Sequence, residues 1–222
     1  MKLSDDVVEI ELKGGNAYLI HGAENILIDT GLPKQSEKLL SDIKSILGEN
    51  ARLDAILLTH HDVDHVGNLC TVQEVFGGAA YISSLDAPYV LGQKKRPGIK
   101  HIIEKVIHPA VPQEIWSLSA FESTEIQVIS TPGHTPGYSI FRYRDYLFTG
   151  DLFKIADGHA VCMKQRMNWD NTQLANSIQT LLGQDAKWLC PAHGNCVAFD
   201  KVIKAELKKV GEEYGRISNG KT

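Results

Sequence analysis

The stretch Thr59-His60-His61-Asp62-Val63-Asp64-His65 constrains this chain more than any other. It puts three histidines and two aspartates within six residues, directly behind the apolar run Ala55-Ile56-Leu57-Leu58. A short continuous apolar run reads as a buried strand, and open α/β sheets gather their ligands at the carboxyl ends of strands. Imidazoles and carboxylates packed this closely repel one another and lose hydration unless a cation neutralises them. In extended backbone, side chains two apart share a face, so His60 and Asp62 converge on one point. Asp64 and His65, at the start of the next helix, converge on a second. The pattern reads as a cradle for two metal ions rather than as a solvated loop.

The rest of the chain supplies the frame. Val8, Ile10 and Leu12 alternate with Glu9 and Glu11 as a half-buried first strand, and Gly14-Gly15-Asn16 turns the chain into a partner strand at 17–20. A third strand follows at 25–29. Leu39, Leu40, Ile43, Ile46 and Leu47 share one helical face, ended by Gly48. Asp64-His65 opens a helix with the stripe Leu69, Val72, Val75 and Phe76, and another strand follows at 79–82. Residues 84–115 carry loose helical patterns at 86–91 and 99–107.

Strand signals return at 126–129, 138–143 and 146–148. Asp170 with Gln173 resembles a capping box for a helix facing inward through Leu174, Ile178, Leu181 and Leu182. A strand at 187–190 precedes a last helix with Phe199, Val202, Ile203, Leu207, Val210 and Tyr214 on one face, and a tail at 218–222 is expected to fray. Strands and helices thus recur twice in the same order. This predicts one domain over 1–222 made of two similar α/β halves, roughly 1–110 and 111–222, each a sheet covered by helices. Two such halves fit this order better than a single Rossmann sheet, whose Gly-x-Gly-x-x-Gly fingerprint is absent.

A formal net charge of −4 supplies no basic field for nucleic acid. Cys70, Cys162, Cys190 and Cys196 contain no Cys-x-x-Cys pair and read as thiols of a reducing compartment. No apolar run reaches membrane-spanning length, and no apolar leader follows Met1. The expectation is a cytoplasmic protein with a small-molecule partner, without nucleic acid or membrane; oligomeric state is left open.

Three later sites repeat one pattern, an apolar strand, then Gly or Pro, then a potential ligand. They are His134 in Pro132-Gly133-His134, Asp151 in Thr149-Gly150-Asp151, and His193 in Pro191-Ala192-His193-Gly194. The small residues permit close backbone approach. This ordered set, together with Thr59–His65 and the preceding Leu27-Ile28-Asp29-Thr30-Gly31, resembles the metallo-β-lactamase-fold hydrolases from the first hairpin to about Asn195. The resemblance implies an αβ/βα sandwich, two mixed sheets flanked by helices, around a dinuclear metal site. Carried over by position, it implies His60, Asp62 and His134 on one metal and Asp64, His65 and His193 on the other, with Asp151 bridging. Asp29 would orient the ligand loop from behind, and His61 would stand behind the ligands rather than among them. Two divalent ions are implied, zinc first, with iron or manganese as alternatives. A hydroxide between them would be the nucleophile, and Asp64 would take up the proton.

The family usually carries histidine where this chain has Asp62. Three carboxylates and one hydroxide against two divalent ions sum to zero, whereas a three-histidine first site leaves +1. Counted from the ligands alone, the site is expected to be less electrophilic and matched to a harder ion beside zinc. The expected activity is hydrolysis of a small-molecule ester, thioester, lactone or phosphoester. The alternatives are an iron-dependent oxygenase or redox protein of the same fold, and a non-catalytic metal-binding module. Lys154, His159 and Arg166, between Asp151 and the Asp170 helix, are the candidate substrate-pocket residues. Cys162 lacks a Cys-His-Asx arrangement for nucleophilic work, and Trp169 and Trp188 read as core or rim.

Overall fold

The structure, a computed structural model, describes residues 1–218; Ser218, expected to begin a frayed tail, is the last residue of the final helix, and the rest of that tail, 219–222, lies outside the described residues. The chain divides into two compact units, Met1–Phe121 and Glu122–Thr222.

The first unit runs β1 (Val7–Ile10), β2 (Ala17–Ile20), β3 (Ile26–Ile28), α1 (Ser36–Leu47), β4 (Ala55–Leu57), α2 (Val63–Val66), α3 (Leu69–Phe76), β5 (Ala79–Ile82), α4 (Ala87–Val90), α5 (Ile99–Ile107) and β6 (Trp116–Ser117). Its six strands pair in sequence order. The β1–β2–β3 meander is antiparallel, while β3 through β6 are parallel. Because β6 pairs with β5, with Trp116 opposite Tyr81, residues 111–121 belong to this unit. Ile28 lies opposite Leu57 in the parallel β3–β4 pair. The turn after β3 and the histidine loop after β4 therefore leave the sheet side by side.

Two sequence expectations change here. In β1 it is Glu9 that is fully buried and Val8 that is only half-buried. Glu9 Oε1 accepts hydrogen bonds from Asn16 Nδ2 at 2.8 Å and from the Tyr18 hydroxyl at 3.4 Å, which is how a carboxylate is held inside. The single helix expected from Asp64 to Phe76 is broken into α2 and α3 at Gly67-Asn68. The Gly67 N–H donates to Gly31 O at 2.9 Å, and a Cβ on Gly67 would stand 2.2 Å from Pro33 Cδ. Asn68 Nδ2 donates to Thr30 O and Leu32 O at 2.6 and 2.7 Å. The break docks the histidine segment onto the turn after β3. Val75 leaves the apolar stripe for the surface, while Leu69, Val72 and Phe76 join a core with Leu27, Ile56 and Leu58.

The second unit runs β7 (Ile126–Ser130), β8 (Ser139–Tyr143), β9 (Tyr146–Gly150), β10 (Lys154–Ala156), β11 (His159–Val161), α6 (Asn171–Leu182), β12 (Trp188–Pro191), β13 (Val197–Ala198) and α7 (Lys201–Ser218). Its five-stranded sheet has the order β13-β12-β9-β8-β7, parallel only between β9 and β12, and β10 with β11 forms a separate ribbon. The Asp170 carboxylate accepts from the N–H groups of Thr172 and Gln173 at 2.8 and 3.0 Å, starting α6 where the capping signal places it. Leu174, Ile178 and Leu181 of α6 share a core with Ile203, Leu207, Val210 and Tyr214 of α7. Val202, expected on that face, is instead 62% exposed. Trp169 and Trp188 are surface residues, at 47% and 41% exposure. Among the described residues, no helix is long and apolar enough to cross a membrane.

Candidate metal centre

Each unit presents its own set of donors at strand ends. In the first unit, His60, His61, Asp62 and His65 are buried and Asp64 is half-buried. Asp62 is the extended residue that opens α2 (φ −66°, ψ 149°). His60 Nε2 lies 3.4 Å from Asp62 Oδ2, on the face shared by residues two apart. Asp64 and His65 follow in the first turn of α2 and also bring ligand atoms close to each other.

The rings of this loop are fixed from behind by Asp29. Its backbone is left-handed, φ +57°, a conformation that aspartate tolerates better than most residues. Its Oδ1 accepts from the Thr59 N–H at 2.8 Å, and its Oδ2 accepts from the Thr59 hydroxyl at 2.7 Å and from His65 Nδ1 at 2.8 Å. With its proton given to Asp29, the Thr59 oxygen accepts from His60 Nδ1, 3.0 Å away. Both imidazoles thus carry their proton on Nδ1, which leaves the Nε2 lone pair as the ligand.

His61 stands between two carboxylates, with Nε2 3.6 Å from Asp62 Oδ1. Its Nδ1 lies 3.1 Å from Asp86 Oδ2, and its ring stacks on Tyr89 with centroids 4.3 Å apart. It is a buried neighbour of the ligand loop.

In the second unit, His134, Asp151 and His193 leave the ends of β7, β9 and β12. The two Asp151 oxygens face different histidines: Oδ2 lies 3.6 Å from His134 Nε2, and Oδ1 lies 3.2 Å from His193 Nε2. A carboxylate placed this way can serve two ions at once. His134 Nδ1 donates to Asn168 Oδ1 at 2.8 Å, while Asn168 Nδ2 donates to Asn171 Oδ1 at 2.7 Å and so fixes the amide's orientation. Asn168 was not recognised in the sequence, where it lies in an unpatterned loop; no local signal would have found it. His134 and Asp151 are buried, and His193 is 27% exposed. Imidazole Nε2 atoms with carboxylate oxygens and no thiolate fit divalent zinc, iron or manganese.

The candidate substrate residues lie elsewhere on the second unit. Lys154 and Arg166 are exposed. His159 is 67% exposed, with Nδ1 2.7 Å from Glu206 Oε1 on α7; this hydrogen bond, with one from the Ala160 N–H, holds the Glu206 carboxyl below its ordinary value. Burial first, then the nearby Glu213 charge, pushes the Cys162 thiol up to about 12, which removes it as a nucleophile. Cys190 and Cys196, on either side of His193 in the sequence, bring their sulfurs 2.7 Å apart.

Mixed sheets whose strand ends present buried imidazoles and carboxylates, with the rings held through Nδ1, define a metalloprotein. Its family follows from the sequence: the profile of the Metallo-beta-lactamase superfamily matches residues 10–193, and the chain belongs to that superfamily. It is 30% identical over 199 residues to the probable metallo-hydrolase YflN of Bacillus subtilis, covering 76% of this chain and 75% of that protein. The subclass B3 metallo-β-lactamase MEM-A1, from a soil metagenome library, superposes with a TM-score of 0.73 at 16% identity, over 98% of this chain and 95% of that one. That likeness establishes the fold, two mixed sheets with flanking helices. The protein TTHA1623, solved in a di-iron-bound form, superposes with a TM-score of 0.64 at 25% identity, over 86% of this chain and 93% of its own.

Proposed function

We propose that this metallo-hydrolase cleaves a small-molecule ester, thioester, lactone or phosphoester, with two divalent ions supplying the hydroxide nucleophile and polarising the scissile group. By the superfamily's motif positions, the first unit would supply His60 and Asp62 to one ion and Asp64 and His65 to the other, and the second unit His134 to the first, His193 to the second and Asp151 to both. The observation that carries this reading is the split carboxylate of Asp151, with one oxygen toward each of two histidine Nε2 atoms.

The protein's own residues do the positioning. Asp29 and Thr59 hold the rings of His60 and His65, and Asn168 holds that of His134, so these ligands need little rearrangement during turnover. Burial of His60, Asp62, His65, His134 and Asp151 keeps bulk water from the ligand atoms. Asp64 and His193 retain partial exposure, which suits them to the side where substrate enters and protons leave. Asp64 is the proposed proton acceptor.

Zinc is the first proposed metal, with iron or manganese as alternatives; the di-iron form of TTHA1623 supports iron. A small molecule, rather than nucleic acid or a membrane, is the proposed partner, supported by the net charge of −4. The cytoplasm is the proposed location, supported by four cysteines present as thiols.

The test is metal content of the protein purified without added metal or chelator, followed by turnover of p-nitrophenyl esters, thioesters, lactones and phosphodiesters. About two equivalents of metal with hydrolysis of one substrate class, both lost in Asp151→Ala, is the expected result. Iron with oxygen consumption in place of hydrolysis would establish the oxygenase or redox alternative. Metal uptake without turnover of any of these substrates would favour a binding module.

A further inference from the structure

The Asp62 carboxylate is met, within the first unit, by a charge that the ligand motif does not include. Lys100, in the first turn of α5, is buried at 4% exposure and places Nζ 2.7 Å from Asp62 Oδ2. This is the same oxygen that faces His60 Nε2. A buried ammonium is retained only where an opposite charge compensates its lost hydration. The segment carrying it is itself tied to the loop. Arg96, also buried, donates from Nε to His61 O at 2.8 Å, and its guanidinium pairs with Glu104 further along α5. Two ion pairs thereby flank the loop, Glu104 with Arg96 and Asp62 with Lys100.

We propose that Lys100 is the charge-balancing and positioning residue that lets Asp62 act as a metal ligand where the family usually has histidine. The proposal rests on the metallo-hydrolase reading above. Exchanging a neutral imidazole for a carboxylate removes one unit of charge from the first site; an ammonium 2.7 Å away returns it. The zero sum obtained from ligands alone omitted this residue, and with Lys100 included the centre is again at +1. A carboxylate oxygen has two lone pairs, so Oδ2 can accept from Lys100 and still serve as a ligand. A fixed cation beside the ligand weakens the hold on a dication and leaves the bound ion more electrophilic. Lys100 therefore trades metal affinity for reactivity.

The test is zinc binding to metal-free protein, titrated against a chromophoric chelator, for wild type, Lys100→Met, Lys100→Arg, Asp62→His and the double variant Asp62→His/Lys100→Met, with folding checked by circular dichroism. Lys100→Met is expected to bind one zinc at least about tenfold more tightly and to turn over at least about tenfold more slowly. Asp62→His, which leaves the ammonium beside a neutral ring, is expected to bind that zinc at least about tenfold more weakly. The double variant restores the charge count and is expected within about threefold of wild type, the two opposed effects cancelling. Lys100→Arg, which keeps the charge, is also expected within about threefold.

A purely structural lysine would give weaker binding in Lys100→Met and no recovery in the double variant, and either result overturns the proposal. Should Lys100→Met not fold, the contrast between Asp62→His and the double variant decides alone. Wild type that binds two zinc ions while Lys100→Met is unchanged removes only the role of Lys100. Wild type that takes up no zinc, iron or manganese overturns the metal reading and this proposal together.

Discussion

His65 Nδ1 lies 2.8 Å from Asp29 Oδ2, across a sequence separation of 36 residues. The pair works because β3 and β4 are parallel neighbours in register, Ile28 opposite Leu57, so both chain segments leave the sheet at the same carboxyl-terminal end. Asp29 also accepts from the N–H and hydroxyl of Thr59, so one carboxylate orders the start and the end of the ligand loop. Asp29→Asn replaces an acceptor-only group with one whose amide N–H₂ must face a donor. We expect about a 10–100-fold loss of metal affinity or activity, the usual cost of removing a partner behind a metal ligand. Chelator competition on Asp29→Asn measures it, and wild-type retention of both metals would remove Asp29 from this role.

Asn168 makes the equivalent contact in the second unit, through Oδ1 to His134 Nδ1. Asn168→Ala should weaken metal retention by about 10–100-fold. Asn168→Asp, which keeps an acceptor at that place, should recover most of it. If both variants fall equally, the amide matters for the shape of the 168–171 turn and not for the ring.

The two supporting residues were unequally legible in the sequence. Asp29 ends an apolar strand, and the family motif includes it. Asn168 lies in a stretch without periodicity and Lys100 in one with only a loose helical pattern, and each reaches the ligands through folding alone. The four ligand motifs were readable because the chemistry repeats a local grammar of apolar strand, small residue and donor. Strands of two or three residues, such as β10, β11 and β13, are too short for alternation to register. Gly67 looked like an ordinary residue within a helical stripe, since nothing local reveals that Pro33 and Gly31 press against it. Glu9 joined Ile10 and Leu12 inside because Asn16 and Tyr18, on the turn and the next strand, supply its hydrogen bonds.

That buried Glu9 makes stability depend on pH. Burial holds its carboxyl above the ordinary value, against the opposing pull of the N-terminal ammonium. The folded state therefore binds this proton more tightly than the unfolded chain. The contribution is fully present below the ordinary carboxylate value of roughly 4.3 and is lost as pH rises through the raised folded value. Glu9→Gln keeps an acceptor for Asn16 and Tyr18 and never ionises. At neutral pH it should raise the Tm by about 2–4 °C, the shift expected of about 1 kcal/mol in a chain of this size. At roughly pH 4 or below, where Glu9 is protonated in both states, the gain should vanish. A gain independent of pH would point to packing instead of ionisation.

Gly194 offers a way to unseat one ligand without touching a donor. The Ile155 N–H donates to His193 O at 2.9 Å, which pins the histidine turn to β10. Gly194 follows with φ +97°, and a Cβ there would stand 2.1 Å from Ile155 O, a backbone atom that cannot swing aside. Gly194→Ala must therefore lift the turn, and His193 with it, from its place opposite Asp151 Oδ1. The core of the second unit, built on Leu174, Ile178, Leu207 and Tyr214, does not include this turn, so the variant should remain folded. We expect about one equivalent of metal retained in place of two, with activity lowered by about 100-fold or more as the second ion is lost. Metal analysis and circular dichroism on the same sample separate this outcome from unfolding, which would empty both positions. Two retained equivalents in a folded, active Gly194→Ala protein would mean that His193 is not held by this turn as the geometry requires.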